Sequence, residues 1–290
     1  MLFPALAARL DAALDAHLER AGSGGGSAGG TVASFDAHLD AAASARFSGA
    51  GFGSLLGTSA GDRFARAFAA ARTVADELFA GDAGAVPEPE AFAAAGSDLA
   101  RLAEQLDADP DLVPVPAPYG LGLPAWQRAC ARAATLAGSP FRGAVRRVAA
   151  GDGVADSEED PPLVLGAEVS EGFAHLDRAP SGSALVPGRP SWALRLVPAA
   201  AEPRRLGLNF AQSGPHATLP ELLMLQLMRA VRGEAPLDGG DGRSSFTWID
   251  GELAGGRLAA RHVFDAGTIR ITAREVGNQG PHLGSRPPIG

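Results

Sequence analysis

Residues Leu219 to Arg232 constrain this chain more than any other stretch. Leu222, Leu223, Met224, Leu225, Leu227, Met228 and Val231 fall on nearly every side of a 3.6-residue period. A helix that is apolar all round must be covered on every side. It opens at Thr218-Leu219-Pro220-Glu221, where Thr218 and Glu221 have the spacing of a capping box and proline stands in the first turn. This helix is therefore the expected structural centre of the C-terminal region, held between other elements.

What lies on either side of it differs in period. Phe3, Leu6, Leu10, Leu14 and Leu18 form one helical stripe, Val32, Phe35 and Leu39 a second, and Phe64, Phe68, Ala71, Val74 and Leu78 a third. A fourth carries Leu99, Leu102 and Leu106 behind Ser97 as its N-cap, a fifth starts at Pro124, and a short one is expected after Pro140. Ser23-Gly24-Gly25-Gly26-Ser27 has a flexible linker composition, and the five prolines between Asp109 and Pro124 demand extended chain. Beyond residue 162 the period becomes 2. Trp192, Leu194 and Leu196 alternate with Ala193, Arg195 and Val197, and Leu206, Leu208 and Phe210 alternate likewise. Phe246 to Ile249 run into Asp250-Gly251, and Leu258–Phe264 and Thr268–Val276 flank Asp265-Ala266-Gly267, two hairpin signals. The expected fold is α+β: a helical region over 1–150, an acidic linker over 151–162, and over 163–290 an antiparallel β-sheet region packed around helix 219–232.

Composition removes several chemistries. All 25 basic residues are arginine. Schiff-base catalysis, the phosphate-binding P-loop and the protein-kinase ATP site each need a lysine and are excluded. Alanine makes up roughly a fifth of the chain, about twice its usual share, and with glycine, proline and arginine it points to a high-GC bacterial genome. Cys130 is the single cysteine, which excludes an internal disulfide framework and a cysteine-rich zinc site. The acidic run Asp152 to Pro162 lacks the ligand spacing of an EF-hand. No metal and no cofactor are expected. No apolar run approaches the ~20 residues of a membrane span, and Met1-Leu2-Phe3-Pro4 has no basic signal-peptide start. The expectation is a cytoplasmic protein with no membrane association.

Two local patterns carry chemistry. Gly57-Thr58-Ser59-Ala60-Gly61 is a G-x-S-x-G, the glycine pattern that lets a nucleophile elbow present its serine above a helix N-terminus. With Gly24-Gly25-Gly26 upstream and Asp250-Gly251 downstream, it resembles the patatin-like phospholipases. That resemblance implies a serine hydrolase with Ser59 as nucleophile and Asp250 as its base. The chain departs from that family in lacking a hydrophobic strand before each glycine loop and an arginine within the first. The alternative for Ser59 is a glycine-rich lead-in to a helix. The second pattern is Gln212-Ser213-Gly214-Pro215-His216-Ala217-Thr218, where Ser213, His216 and Thr218 meet the positive end of the capped helix. His282 repeats the Gly-Pro-His setting, so these four residues are a candidate small-molecule or anion site, or else two turns.

The charges divide unevenly. Residues 1–188 hold 13 arginines and 24 acidic groups, and residues 189–290 hold 12 and 9, for a total of −8. Arg195, Arg261, Arg270 and Arg274 alternate with the apolar set of the expected strands. The aromatics fall on the apolar side, and the chain is acidic as a whole, so a nucleic-acid partner is not expected. Arg270 and Arg274 are expected at a contact with the acidic half of this chain or with an acidic partner. The leading functional reading is a non-enzymatic interaction, assembly or regulatory protein with a protein partner or self-association. The serine hydrolase and the small-molecule binder remain open beside it.

Overall fold

The computed structural model describes residues 55, 57–141, 144–147, 157–239 and 244–290, with backbone alone for 144–147 and 157–160. The helices read at 3–18 and 32–39, the Gly24–Gly26 loop and the centre of the acidic linker lie outside them.

The architecture is α+β. Helix α1 (Ser59–Thr73) widens into a π-helical turn (Val74–Phe79) and is followed by α2 (Pro89–Ala94) and α3 (Leu99–Ala108). Strand β1 (Leu112–Tyr119) then leads to α4 (Leu123–Ala133). Next come β2 (Ala144–Arg147), β3 (Ser157–Asp160), β4 (Leu163–Leu165), α5 (Ala167–Glu171) and α6 (Phe173–Leu176). Strands β5 (Leu185–Val186) and β6 (Ser191–Pro198) precede α7 (Phe210–Ser213) and α8 (Leu219–Val231). The chain closes with β7 (Phe246–Leu253), β8 (Leu258–Asp265), β9 (Thr268–Glu275) and β10 (Leu283–Gly284).

Three sheets result, in the orders β1-β6-β5, β10-β7-β8-β9-β4 and β2-β3. The five-stranded sheet is antiparallel through β7, β8 and β9, with short parallel strands, β10 and β4, at its edges. Helix α8 is the buried helix expected from its composition. It packs on β1, α1 and α4, and Gln226 reaches across to His262 of β8. One apolar core runs from Ala60 to Ile271 and takes in α1, α3, α4, α8 and the inner faces of both larger sheets.

Strand β1 shows how three prolines fit a sheet. Pro114, Pro116 and Pro118 oppose Leu196, Leu194 and Trp192 of β6. Leu196 spends its own N–H and C=O on Ile289, on the far side of β6. The prolines therefore occupy the positions of β1 that do not bond to β6. Their missing N–H groups all fall on the outer edge of the sheet, which is left without donors for a further strand. Pro116 is buried, so Pro116→Val places an unpaired N–H at a covered edge. It is expected to cost about 1–3 kcal/mol for the stranded donor and up to about 1 kcal/mol more through a freer unfolded chain, read by urea unfolding. A variant as stable as the parent overturns this role for the proline.

Local expectations shift at four places. Asp98, not Ser97, caps α3, accepting from Arg101 N at 3.0 Å. The segment after Pro140 enters strand β2, not a helix. Residues 206–210 turn rather than extend: Gly207 has φ +81° and the Asn209 side chain caps α7. Asp250-Gly251 is not the hairpin tip. β7 continues to Leu253 with a register shift between Trp248 and Glu252, and the turn forms at Ala254-Gly255-Gly256, all with positive φ. The second hairpin, at Ala266-Gly267, forms as expected, with Asp265 opposite Thr268.

Arginines hold the loops. Arg63 donates to the carbonyls of Leu106, Asp109, Pro110 and Leu112, closing the end of α3 onto β1. Arg132 donates to Leu78 and Phe79 at the end of the π-helical turn, Arg229 to Ala199 and Ala235, and Arg205 to Ser213 and Gly214. A fork of five donors suits several carbonyls at once.

Candidate functional site

The entry of α8 gathers the polar side chains. The Thr218 hydroxyl accepts from Glu221 N at 3.3 Å and the Glu221 carboxylate from Thr218 N at 2.8 Å, completing the capping box. Arg195 projects from β6 and grips the same carboxylate through Nε (2.5 Å) and Nη2 (2.6 Å), with both side chains buried. Tyr119 OH lies 3.0 Å from Thr218 Oγ1. Burial, with the Glu221 charge beside it, holds the Tyr119 phenol well above its usual range. The protein's own carboxylate thus occupies the positive end of this helix.

Of the predicted site residues, Ser213, His216, Thr218 and Asp250 lie at that entry. Ser213 and Thr218 are fully buried and bonded internally, Ser213 giving its carbonyl to Ser285 Oγ at 2.5 Å. His216 is 5% exposed, stacks on Phe210 with ring centroids 4.3 Å apart, and donates Nε2–H to Phe210 O at 2.8 Å. Burial pushes its pKa down. His282 is exposed, and its carbonyl accepts from Phe246 N. Ser59 stands exposed in the first turn of α1, where Thr58 is the N-cap and accepts from Gly61 N at 3.1 Å. Asp250 sits half-buried on β7, near Arg195, His216, Glu221 and His175. No hydrogen bond joins Ser59 to Asp250 or His216 to His282.

A second polar network lies under the five-stranded sheet. Asp238 accepts from Arg286 Nη2 at 2.6 Å and meets His262 Nδ1 at 2.7 Å, with all three side chains fully buried. Gln226 pairs with Leu237 in both directions, Oε1 accepting from its N and Nε2 donating to its O, each at 3.0 Å. That double bond fixes the amide orientation, so Nε2 faces His262 Nε2 at 3.2 Å as a donor. His262 must therefore accept at Nε2 and carry its proton on Nδ1. Asp238 and Arg286 are then the formal charges, one of each sign. Burial pushes the Asp238 carboxyl up, but Arg286 and His262 outweigh it and hold it below the usual range.

The outer face of the five-stranded sheet carries the arginine row. Arg261 opposes Thr272, and Arg270 and Arg274 lie two residues to either side of Thr272 on the neighbouring strand. Arg261 Nε donates to Thr272 Oγ1 at 3.1 Å, and the guanidinium lies 4.0 Å from the centre of the Phe246 ring. Burial, with Arg274 close by, pushes Arg261 down to about 10. Arg270 is 3.7 Å from Asp265, and Arg274 is exposed. Exposed Leu206 and Leu208 lie in the loop beside this face, where the Leu208 carbonyl accepts from Trp248 Nε1 at 3.4 Å. Arg195, grouped with this row by alternation, belongs instead to the other sheet and points inward.

Sequence reasoning passed over Glu221 as a counterion, Tyr119, and the Asp238–Arg286 pair. Only Arg195, a charge inside the apolar run Trp192 to Val197, signalled that a buried carboxylate was needed. Cys130 is fully buried, and burial pushes its thiol up to about 12. Among the described residues no group of three or more His, Cys, Asp or Glu is placed to hold a metal ion, and no helix is long and apolar enough to cross a membrane. No family model, no curated protein and no solved structure matches the chain.

Proposed function

We propose that this chain works by binding a protein partner rather than by catalysis, through the outer face of the five-stranded sheet, and that the partner presents an extended acidic segment. The supporting observation is Arg261. Its guanidinium is half-buried over Phe246, has no carboxylate within ion-pair distance among the described residues, and stands between Arg270 and Arg274. Four residues of strand separate the outer two by about 13 Å, with Arg261 midway on the next strand, so the row repeats at roughly 7 Å. Alternate side chains of an extended peptide have that same spacing. A guanidinium fork takes a carboxylate in two parallel hydrogen bonds. Phosphates of a single-stranded nucleic acid are less suited, because the ring that a base would stack on is already covered by Arg261.

A labelled peptide of alternating glutamate and leucine tests this by fluorescence polarisation. Exposed ion pairs are worth up to about 1 kcal/mol each, so Arg270→Gln with Arg274→Gln is expected to weaken binding about tenfold. Raising salt should weaken it further. Equal affinity in the double variant, or tighter binding of oligothymidylate than of the peptide, sinks the reading.

A further inference from the structure

We propose, on the reading of the arginine face as a docking surface, that the chain's own acidic strand β3 competes with an outside partner for the Arg270 end of that face. The partner then meets a surface already part-occupied, and β3 sets how readily it is reached.

The backbone brings β3 to that end. Strand β4 lies parallel to β9 at the edge of the five-stranded sheet, with Val164 opposite Arg270, and Ile269 N donates to Pro162 O at 2.8 Å. Asp160 stands two residues before Pro162, no more than about 7 Å of chain, and the chain bends at Pro162. β3 therefore ends where β9 begins. Of the three arginines in the row, Arg270 is the one nearest that end of β9.

Charge has the right sign at the right place. β3 reads Ser157-Glu158-Glu159-Asp160 and pairs antiparallel with β2, so that Ala144 opposes Asp160, Val145 opposes Glu159 and Arg146 opposes Glu158. This ribbon is thus acidic where it joins the sheet, while Arg146 and Arg147 lie toward its far end. Neither Glu159 nor Asp160 has a cation opposite it in the ribbon. Asp265, 3.7 Å from Arg270 and largely exposed, adds a further carboxylate at the same end. At the other end of the row Arg261 and Arg274 are close enough to repel each other, which leaves that end to attract an incoming acid.

Like the proposed partner, β3 is extended and acidic. The tether of two prolines makes its contact intramolecular, so the contact needs little affinity of its own. A face that is free only part of the time binds an outside ligand more weakly in proportion.

The test compares four forms of the full chain by fluorescence polarisation with the labelled glutamate–leucine peptide. They are the parent, a triple variant (Glu158→Gln, Glu159→Gln, Asp160→Asn), Arg270→Gln, and the two sets combined. Neutralising β3 is expected to tighten binding about three- to fivefold, the factor that one exposed ion pair carries, and the gain should shrink as salt rises. In the Arg270→Gln background the same neutralisation should bring no gain, because the contested group is gone. A gain that persists there at full size means that β3 acts only by long-range repulsion, and overturns the proposal. Equal binding by the parent and the triple variant overturns it too, with the docking surface left standing. If no form binds the peptide, the docking surface itself fails and this proposal falls with it. Should the triple variant misfold, Asp160→Asn alone carries the comparison, with a gain of about twofold expected.

Discussion

Arg286→Met is expected to lower the unfolding free energy by about 3–5 kcal/mol, because it strands a buried carboxylate. Arg286 is fully buried, bonds Asp238 and Thr247, and donates to the carbonyls of Pro198, Ala200 and Ala201. Urea unfolding measures the loss, and the double variant with Asp238→Asn should recover part of it by removing the unpaired charge. The pH dependence has a definite sign. Asp238 is held below its usual range in the folded protein, so its contribution is complete above the unfolded value near pH 4 and is lost as pH falls through the folded value. Without Arg286 that depression disappears, so the gap between parent and variant should narrow in acid. A loss under about 1 kcal/mol, or a gap that does not change with pH, contradicts the assigned pairing.

Glu221→Gln is expected to cost a similar amount, about 3–5 kcal/mol, for a different reason. Glutamine keeps an oxygen for Thr218 N, so the helix cap survives. What it loses is the counterion of Arg195, a guanidinium 8% exposed and held by two short hydrogen bonds. Thr218→Ala removes the cap hydroxyl together with its bond to Tyr119 OH, and should cost about 1–2 kcal/mol, less than the stranded charge. Thermal or urea unfolding of the two variants side by side separates the roles. If Glu221→Gln proves no worse than Thr218→Ala, Arg195 does not depend on Glu221 as its counterion, and the assigned pairing is overturned.

The parts of this fold that were legible in the sequence are those written in local chemistry. The capping box at Thr218 and Glu221, the all-apolar face of α8 and the two-residue turn at Ala266-Gly267 each follow from neighbours within a few positions. The parts that were not legible depend on partners far along the chain. The proline-rich stretch from Leu112 to Tyr119 reads as extended, but only β6, some eighty residues later, makes it a strand. Asp250-Gly251 resembles a hairpin tip, yet the tighter glycine run at Gly255-Gly256 takes the turn and leaves the earlier pair inside the strand. For the site, alternation placed Arg270 and Arg274 on one face with Arg261, because those strands are neighbours in sequence. It failed for Arg195, whose sheet is completed by β1 and whose carboxylate comes from α8. Neither Asp238, in a loop, nor Arg286, among prolines, carries a periodicity that could have announced their pairing.

The arginine forks that close the loops have a consequence for how this chain can be labelled. A lysine in their place would offer a primary amine, a single point donor that amine-directed reagents modify. At the joins of residues 106–112, 78–79 and 213–214 the donors are guanidinium forks instead, so such reagents find no side chain there. A composition without lysine thus leaves the protein with loop anchors that amine chemistry does not reach.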